Sequence, residues 1–195
     1  MKKHTMKMKL VLTFAIIIVV TVCIQGLVSF IGLNRAHNLA ISTVQSEFDS
    51  VIKTSVDNLI GVLNANYMRY QNGEITKEEA YNQAVWIMKN TRYNNGDGYF
   101  WADLEDGTCA VHINPDYVGK KRFQDTDLEG NYFIQNIIKA GNEPDGDFTE
   151  FYFTRPGFEG SFKKRSYTKK FEPYGWYIST GNYYEDIDNV IEQYK

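Results

Sequence analysis

An uncharged apolar stretch from residue 10 to residue 33 (LVLTFAIIIVVTVCIQGLVSFIGL) limits the fold of this chain more than any other feature. As a helix, its 24 residues span about 36 Å, which is enough to cross a hydrocarbon core of about 30 Å. Lys2, Lys3, Lys7 and Lys9 precede it, and no acidic residue does. By the positive-inside rule, residues 1–9 are a cytoplasmic basic tail and the chain after Asn34 is extracytoplasmic. We therefore predict a single-pass protein of the cell membrane.

Two processing signals compete with a membrane helix. A cleavable signal peptide has an apolar region of about 7–15 residues that ends in a small-x-small site, whereas this stretch is longer and lacks such a site. A lipoprotein signal would use Cys23, but the preceding Val22 is not small. Cys23 is better explained as a lipid-facing residue. Since only Cys109 then lies outside the membrane, we expect no intramolecular disulfide.

The extracytoplasmic part is acidic. Four of the 21 basic residues precede the apolar stretch, which leaves 17 bases against 24 acids and a net charge of −7. A nucleic-acid-binding surface needs a basic patch. We therefore expect no nucleic-acid partner.

Two helices are predicted after the membrane segment. Between residues 35 and 70, apolar residues recur at spacings of three and four, which is typical of a long amphipathic helix. Gln71-Asn72-Gly73 predicts its end at a left-handed glycine. Thr76-Lys77-Glu78-Glu79 is a capping box that begins a second helix, which reaches about Thr91.

After Arg92 the apolar period changes to two, which indicates strands. Asp106-Gly107 predicts a tight hairpin, and a short helix is expected within the long crossover. The predicted strands are residues 99–104, 108–113, 148–154, 162–171 and 176–180. The crossover is predicted at 116–146, with its helix at 132–140. The last helix is predicted to begin at residue 183. The fold class is thus α+β, with a five-stranded antiparallel sheet packed on the long helix. The crossover covers the other face and encloses a small cavity.

Strand alternation sorts the polar candidates by face. Tyr99, Trp101 and Asp103 share one face of the first strand. Arg165, Tyr167 and Lys169 form a row on the fourth strand that could donate hydrogen bonds to an anion. The alternative interpretation is a solvated edge strand that is protected by its charges.

Catalytic and metal-binding patterns are absent from the sequence. His112 has no second histidine at a zinc-like spacing, and it fits a structural histidine as well as a ligand contact. There is no phosphate-binding glycine loop and no nucleophile elbow. Asp125-Thr126-Asp127 could hold Ca²⁺ but lacks the EF-hand pattern. We expect no enzyme activity, no metal and no cofactor.

The region after the long helix resembles the single Cache domain of bacterial methyl-accepting chemotaxis receptors and sensor histidine kinases. The resemblance covers about residues 35–188, and the order of its motifs is more specific than any one of them. The matching segments are Gly98-Tyr99-Phe100-Trp101, Asp106-Gly107, His112-Ile113-Asn114-Pro115, Val118-Gly119-Lys120, Ser166-Tyr167-Thr168-Lys169 with Phe171, and Pro173-Tyr174-Gly175-Trp176 with Gly181. The family usually has His-Pro where this chain has His112-Ile113.

The resemblance implies a PAS-like sheet that binds a small molecule between the sheet and the crossover. Such domains often bind short carboxylates such as acetate, propionate, pyruvate or lactate. Carried over by position, the implied ligand-binding residues are Tyr99, Trp101, His112, Tyr167 and Lys169, with Arg92 at the junction of helix and sheet.

The resemblance also implies an organisation and an output. The expected segments are a cytoplasmic tail at 1–9, a transmembrane helix at 10–33, a sensor domain at 34–188 (helical at 34–91, sheet at 92–184) and a C-terminal helix at 185–195. Receptors of the family continue into a second membrane helix and a signalling module, so this chain is either a receptor fragment or a stand-alone anchored binding module. We expect a homodimer through the long helix, and a ligand that shifts the last helix relative to the first.

Two other functional classes share parts of this pattern. A pilin-like structural subunit also joins an apolar helix to a sheet, but pilins have a Gly-Phe cleavage point and an early glutamate, which are absent around Lys9-Leu10. A membrane-tethered hydrolase would need a nucleophile and a base, and the sequence shows no such pair. A sensor for chemotaxis or transmembrane signalling is the interpretation that we carry forward.

Overall fold

The structure is a computed structural model that describes residues 2–192, with side chains from Met6 onward. The chain divides into two compact units between Thr43 and Val44. Helix α1 (Lys2–Gln71) contributes to both units. Each unit is described separately below.

The first unit consists of the N-terminal part of α1. Within residues 2–192, one helix is long and apolar enough to cross a membrane, and its most apolar window lies near the N-terminus with none of it buried. The predicted stretch 10–33 forms part of this helix. A helix whose apolar side chains are exposed on every side is typical of a membrane span.

The second unit begins with the end of α1 and continues into α2 (Lys77–Asn90). The capping box is confirmed, because the Thr76 side chain accepts from the N–H of Glu79 and the Glu79 carboxylate accepts from the N–H of Thr76. Gly73 adopts φ 74°, the left-handed conformation that was predicted to end α1.

Five antiparallel strands form one sheet in the order β2-β1-β5-β4-β3. Their bounds are β1 Phe100–Asp103, β2 Cys109–Val111, β3 Asp147–Thr154, β4 Ser161–Phe171 and β5 Trp176–Tyr183. Helix α3 (Phe133–Gly141) lies in the crossover, and α4 (Tyr184–Glu192) follows β5. Single 3-10 turns occupy Asn94–Gly96, Pro115–Tyr117 and Glu172–Tyr174. The predicted α+β class is confirmed, while residues 193–195 of the predicted last helix lie outside the described residues.

Each face of the sheet has its own core. On one face, Phe100, Ala102 and Tyr167 join a cluster with Ile52, Val56, Leu59 and Leu63 of α1. On the other face, Tyr99 and Trp101 cluster with α3 residues such as Ile134 and Ile137. Burying each large aliphatic side chain contributes about 1.5–3 kcal/mol. Because α3 belongs to the crossover, the crossover covers the second face of the sheet, as the sequence predicts.

The acidic loop that could have held Ca²⁺ is a structural turn. The Asp127 carboxylate accepts hydrogen bonds from the backbone N–H groups of Glu129, Asn131 and Tyr152. The first two bonds hold the turn together, and the bond from Tyr152 joins the crossover loop to β3. Within residues 2–192, no group of three or more His, Cys, Asp and Glu residues is placed to hold a metal ion.

Candidate functional site

A small cavity lies between the sheet and α3, on the face that carries Tyr99. Its volume is about 10 Å³, which is room for about one water molecule. Three of the residues predicted to bind ligand line it together, namely Tyr99, Trp101 and His112. The other lining residues are Arg122, Phe133, Ile137, Phe151, Phe153 and Lys164.

Lys164 is the central polar group of this cavity. Its side chain belongs to β4 and is only 1% exposed. Nζ donates to Tyr99 Oη at 2.9 Å and lies 4.2, 4.5 and 4.9 Å from the ring centroids of Tyr99, Trp101 and Tyr183. Among the residues that the structure describes, no carboxylate forms an ion pair with it. Burial lowers the pKa of Lys164, because the charged form loses its hydration.

His112 contributes a second donor. Its Nδ1 accepts from the backbone N–H of Asn114 at 2.9 Å, so the proton of the neutral ring lies on Nε2. Burial, together with the positive charges of Arg122 and Lys164, lowers the pKa of His112 to about 3. The imidazole is therefore neutral at physiological pH. Its ring packs edge-on against Tyr99 and Tyr117.

Arg122 is a second buried cation in the cavity wall. Its Nη2 donates to Asp103 Oδ1 at 2.6 Å, and the two side chains are 4% and 0% exposed. Asp103 Oδ2 and Arg122 Nε are both buried without a hydrogen-bond partner in the described part of the chain. Burial raises the pKa of Asp103, although Arg122 opposes this change. The pair anchors the crossover to β1 and places positive charge beside Lys164.

Tyr167 and Lys169 lie on the opposite face of the sheet, so the structure does not bring them together with Tyr99. Lys53 of α1 donates to Tyr167 Oη at 2.8 Å, and Lys169 Nζ lies 2.9 Å from Asp57 Oδ1. The third member of the predicted row, Arg165, pairs with Asp49 and Glu150. These side chains join β4 to α1. The row therefore does not line the cavity, because side chains at odd positions of β4 point away from α3.

Arg92 is also distant from the cavity. Its Nη1 donates to the carbonyl oxygens of Lys89 and Thr91, where it caps the end of α2. It lines a second, larger cleft, whose lining also includes residues of α1 and α4.

An open vestibule of about 460 Å³ adjoins the cavity. Tyr99, His112 and Phe153 line both spaces and form the partition between them. Arg155 and Asn114 lie in the outer part of the vestibule. Movement of the partition would connect the cavity to solvent.

Comparison with known proteins decides the family. The family described as Single Cache domain 2 matches residues 44–195, more than three quarters of the chain. The chain belongs to this family. A curated relative is the methyl-accepting chemotaxis protein McpP of Pseudomonas putida, which is 25% identical over 174 residues that cover 88% of this chain. The chain spans only 31% of that relative's length.

Solved structures share the fold of this Cache domain. One is described as a periplasmic sensor domain of a chemotaxis protein, with a TM-score of 0.68 and 24% identity over 71% of this chain and 96% of that one. A second carries the words "Structural basis for carboxylic acid recognition by a Cache chemosensory domain", with a TM-score of 0.65 and 24% identity over 71% and 94%. A methyl-accepting chemotaxis protein from Vibrio parahaemolyticus has a TM-score of 0.56 at 24% identity, covering 74% and 98%.

The cavity of this Cache domain combines donors with few acceptors. Lys164, the Tyr99 hydroxyl, His112 Nε2–H and the unpartnered Arg122 Nε–H all belong to residues that line it. The aromatic and aliphatic walls exclude water and strengthen electrostatic interactions inside. Such an arrangement fits a small anion with a short apolar part.

Sequence reasoning missed Lys164 and Arg122. Lys164 lies between the basic residues Lys163 and Arg165 on β4. Strand alternation places it on the face opposite to Arg165 and Tyr167 but does not show which of the two faces borders the cavity. Arg122 lies in a loop that the strand pattern does not describe. In both cases the sequence shows only a basic residue, and its burial becomes evident only in the tertiary fold.

Proposed function

We propose that this chain is the sensing part of a membrane receptor and binds a short carboxylate in the cavity between the sheet and α3. The observation that supports this most directly is Lys164, a buried ammonium group without a counter-ion in the described residues. A buried charge is costly unless it is paired. A ligand carboxylate supplies the missing partner.

Tyr99, Trp101 and His112 complete the binding site in this proposal. The hydroxyl of Tyr99 and the Nε2–H of His112 donate to the carboxylate, and Trp101 packs against the short carbon chain. The small cavity favours a ligand of few atoms. The solved relative described by carboxylic acid recognition supports the same ligand class.

The proposed activity is binding without catalysis. His112 carries its proton on Nε2, and its Nδ1 already accepts from the backbone N–H of Asn114, so no ring nitrogen is available as a base to activate a nucleophile. Cys109 is buried and burial raises the pKa of its thiol to about 12, which keeps it unreactive. The signal therefore comes from a change of shape.

A chain of contacts leads from the cavity to α4. Tyr99 Oη lies 3.4 Å from Tyr183 Oη, which donates to the Thr154 carbonyl at 2.8 Å. Next along the chain, Arg155 stacks on Tyr183 and pairs with Asp186 of α4 at 2.8 Å. A ligand carboxylate that accepts a hydrogen bond from Lys164 Nζ competes with Tyr99 Oη for this donor. The position of Tyr99, where the series of contacts begins, then changes. Coupling of about 1–3 kcal/mol is enough to bias a two-state output.

The cavity must expand to admit a ligand, which links binding to movement. Its present volume fits about one water molecule. Even acetate requires an outward shift of the wall formed by α3 and the partition. Helix shifts of about 1–2 Å are an established form of allosteric output.

We further propose that the sensor domain lies outside the cell membrane with residues 1–9 in the cytoplasm, and that the chain forms a homodimer through α1. The apolar helix and the basic residues before it support the orientation. Exposed apolar side chains on the second unit's part of α1, at Val62 and Met68, support the dimer.

The test is calorimetry on the full chain in lipid nanodiscs, titrated with acetate, propionate, pyruvate and lactate. We expect at least one of them to bind, and Lys164→Met to weaken binding about 10- to 100-fold, the effect of removing a hydrogen bond to a charged group. Lys169→Met is the matched control, because it removes a lysine from the opposite face of the same strand. We expect it to leave affinity unchanged.

Two outcomes contradict the proposal. If none of the four acids binds, the ligand class is wrong. If Lys169→Met weakens binding as much as Lys164→Met, the site lies on the α1 face of the sheet. Tryptophan fluorescence of each variant, compared with the unmodified chain, establishes that the fold is retained.

A further inference from the structure

A second and larger cleft is lined by residues of α1, β5 and α4, and it shares Tyr99 with the cavity. Its volume is about 720 Å³, which is within the range of about 300–1,000 Å³ that is typical of small-molecule sites. Residues from α1 and α4 form facing parts of its lining, and the loop at 92–98 and the turn after β3 supply others. The helix residues are Glu47, Phe48 and Val51 of α1 and Asp186, Asn189 and Val190 of α4. A molecule bound here contacts both helices directly.

Asn182 contributes a buried donor to this cleft. It lies on β5 opposite Arg165, so its side chain points to the α1 face of the sheet. The residue is 7% exposed, and within residues 2–192 its Nδ2 is buried without a hydrogen-bond partner. Buried donors without acceptors are rare in native proteins. A ligand with a carbonyl or carboxylate oxygen would satisfy this one.

The charges around the cleft have the opposite balance to those around Lys164. Its lining includes the acids Glu47, Asp97 and Asp186 and the bases Arg92 and Arg155. Arg155 is paired with Asp186, and Arg92 donates to the end of α2. Glu47 has no ion pair in the described part of the chain. The charge left to attract a ligand is therefore negative, which favours an ammonium group.

Apolar side chains from both helices separate these polar groups. Phe48 and Val51 of α1 and Val190 of α4 line the cleft. They provide a surface for the carbon part of a ligand, which would otherwise stay in water. A short amphipathic molecule fits this combination better than an inorganic ion.

We propose that this cleft binds a small zwitterion of the amino-acid class, with its ammonium group on Glu47 and its carboxylate oxygen on Asn182 Nδ2. The site does not include Lys164, Trp101 or His112 of the carboxylate cavity, although Tyr99 lines both spaces. Because the ligand joins α1 to α4, it acts on the relative position of the two helices. It does so without contacting Lys164, which does not line the cleft.

The test uses the full chain in nanodiscs that is first saturated with acetate and then titrated with each of the common L-amino acids by calorimetry. We expect one or more to bind. Glu47→Gln, at an exposed position, should weaken that binding about tenfold or more, the size of a lost hydrogen bond to a charge. Asn182→Leu should weaken it too. Glu143→Gln, an exposed acid outside the cleft, is the control and should have no effect.

The variant Lys164→Met separates the two proposals, because it should lose acetate and keep the amino acid. If no amino acid binds while acetate does, this inference is overturned and the proposed function stands. If amino acids bind but no carboxylate does, the proposed function is overturned and this inference stands. Binding that Glu47→Gln and Asn182→Leu leave unchanged also overturns the inference. So does a shift of the oligomeric state by Glu47→Gln without amino-acid binding, which would assign the cleft to a second copy of the chain.

Discussion

Lys164 Nζ donates to Tyr99 Oη at 2.9 Å in a cavity where three aromatic rings take the place of a counter-ion. Cation–π contacts recover part of the lost hydration energy of an ammonium group, but less than a carboxylate does. The unliganded domain therefore holds a charge that is stabilised more fully when an anion binds.

Lys164→Met should stabilise the unliganded domain. Methionine has a similar length, fills irregular space and needs no counter-ion. We expect the free energy of unfolding to rise by about 1–3 kcal/mol, the usual cost of an imperfectly satisfied buried polar group. Urea unfolding of the full chain in micelles, followed by tryptophan fluorescence, measures this. A loss of stability would show that the aromatic cage satisfies the lysine fully.

Carboxylate binding should be coupled to proton uptake by Lys164. Burial lowers its pKa in the empty cavity, and a bound anion raises that pKa again. Affinity should therefore be constant below the pKa of the empty site and fall about tenfold per pH unit above it. Calorimetry in buffers with different ionisation enthalpies measures the protons taken up. Uptake that persists in Lys164→Arg, which stays charged, would assign the proton to another group.

The sequence predicted the architecture well because its signals are local. The capping box at Thr76, the glycine at Gly73 and the period-two strands each depend on a few neighbouring residues. The site depends on register across three strands, which no local pattern encodes. Phe100 pairs with Thr180, and Thr180 with Tyr167, so Tyr167 shares the face of Phe100.

The same register places Lys164 with Trp101. Trp101 pairs with Ser179, and Ser179 with Thr168, and even-numbered residues of β4 follow Thr168 to that face. Strand alternation alone places Lys164 and Tyr167 on opposite faces of β4. Deciding which face borders the cavity requires the strand order around β5. A shift of one residue in any pairing would reverse the answer. Tyr99, Trp101 and His112 were brought together because the hairpin between β1 and β2 is short.

Asp103→Asn should destabilise the domain by about 3–5 kcal/mol, because it leaves the Arg122 guanidinium buried without its partner. The double variant Asp103→Leu with Arg122→Met should recover much of this loss, since no buried charge remains. Urea unfolding of the three chains gives the comparison. Asp106→Asn is a control on the same hairpin, where an exposed pair with Lys121 should matter little. Equal losses for both asparagine variants would contradict the special role of the buried pair.

His112 should make stability depend on pH. Its pKa is lowered to about 3 by burial and by nearby positive charges, while an unfolded histidine has a pKa of about 6.5. Between these values the unfolded chain binds the extra proton, so this contribution to stability is complete above about pH 6.5 and is lost as pH falls toward 3. The free energy of unfolding should therefore be larger at pH 7 than at pH 4, and His112→Gln should reduce this difference. His37→Gln, at an exposed position of α1, should leave it unchanged.

Tyr183→Phe should separate binding from output. The variant removes the hydroxyl that lies 3.4 Å from Tyr99 Oη and donates to Thr154, but it leaves Lys164 in place. We expect acetate affinity to change less than about threefold, because a neutral hydrogen bond contributes about 0.5–1.5 kcal/mol and this one does not touch the ligand. Spin labels at exposed positions 188 on α4 and 77 on α2 report their separation. In the unmodified chain, acetate should shift that distance, and in Tyr183→Phe the shift should shrink. A full shift in the variant would show that the movement reaches α4 by another path, such as the backbone of β5.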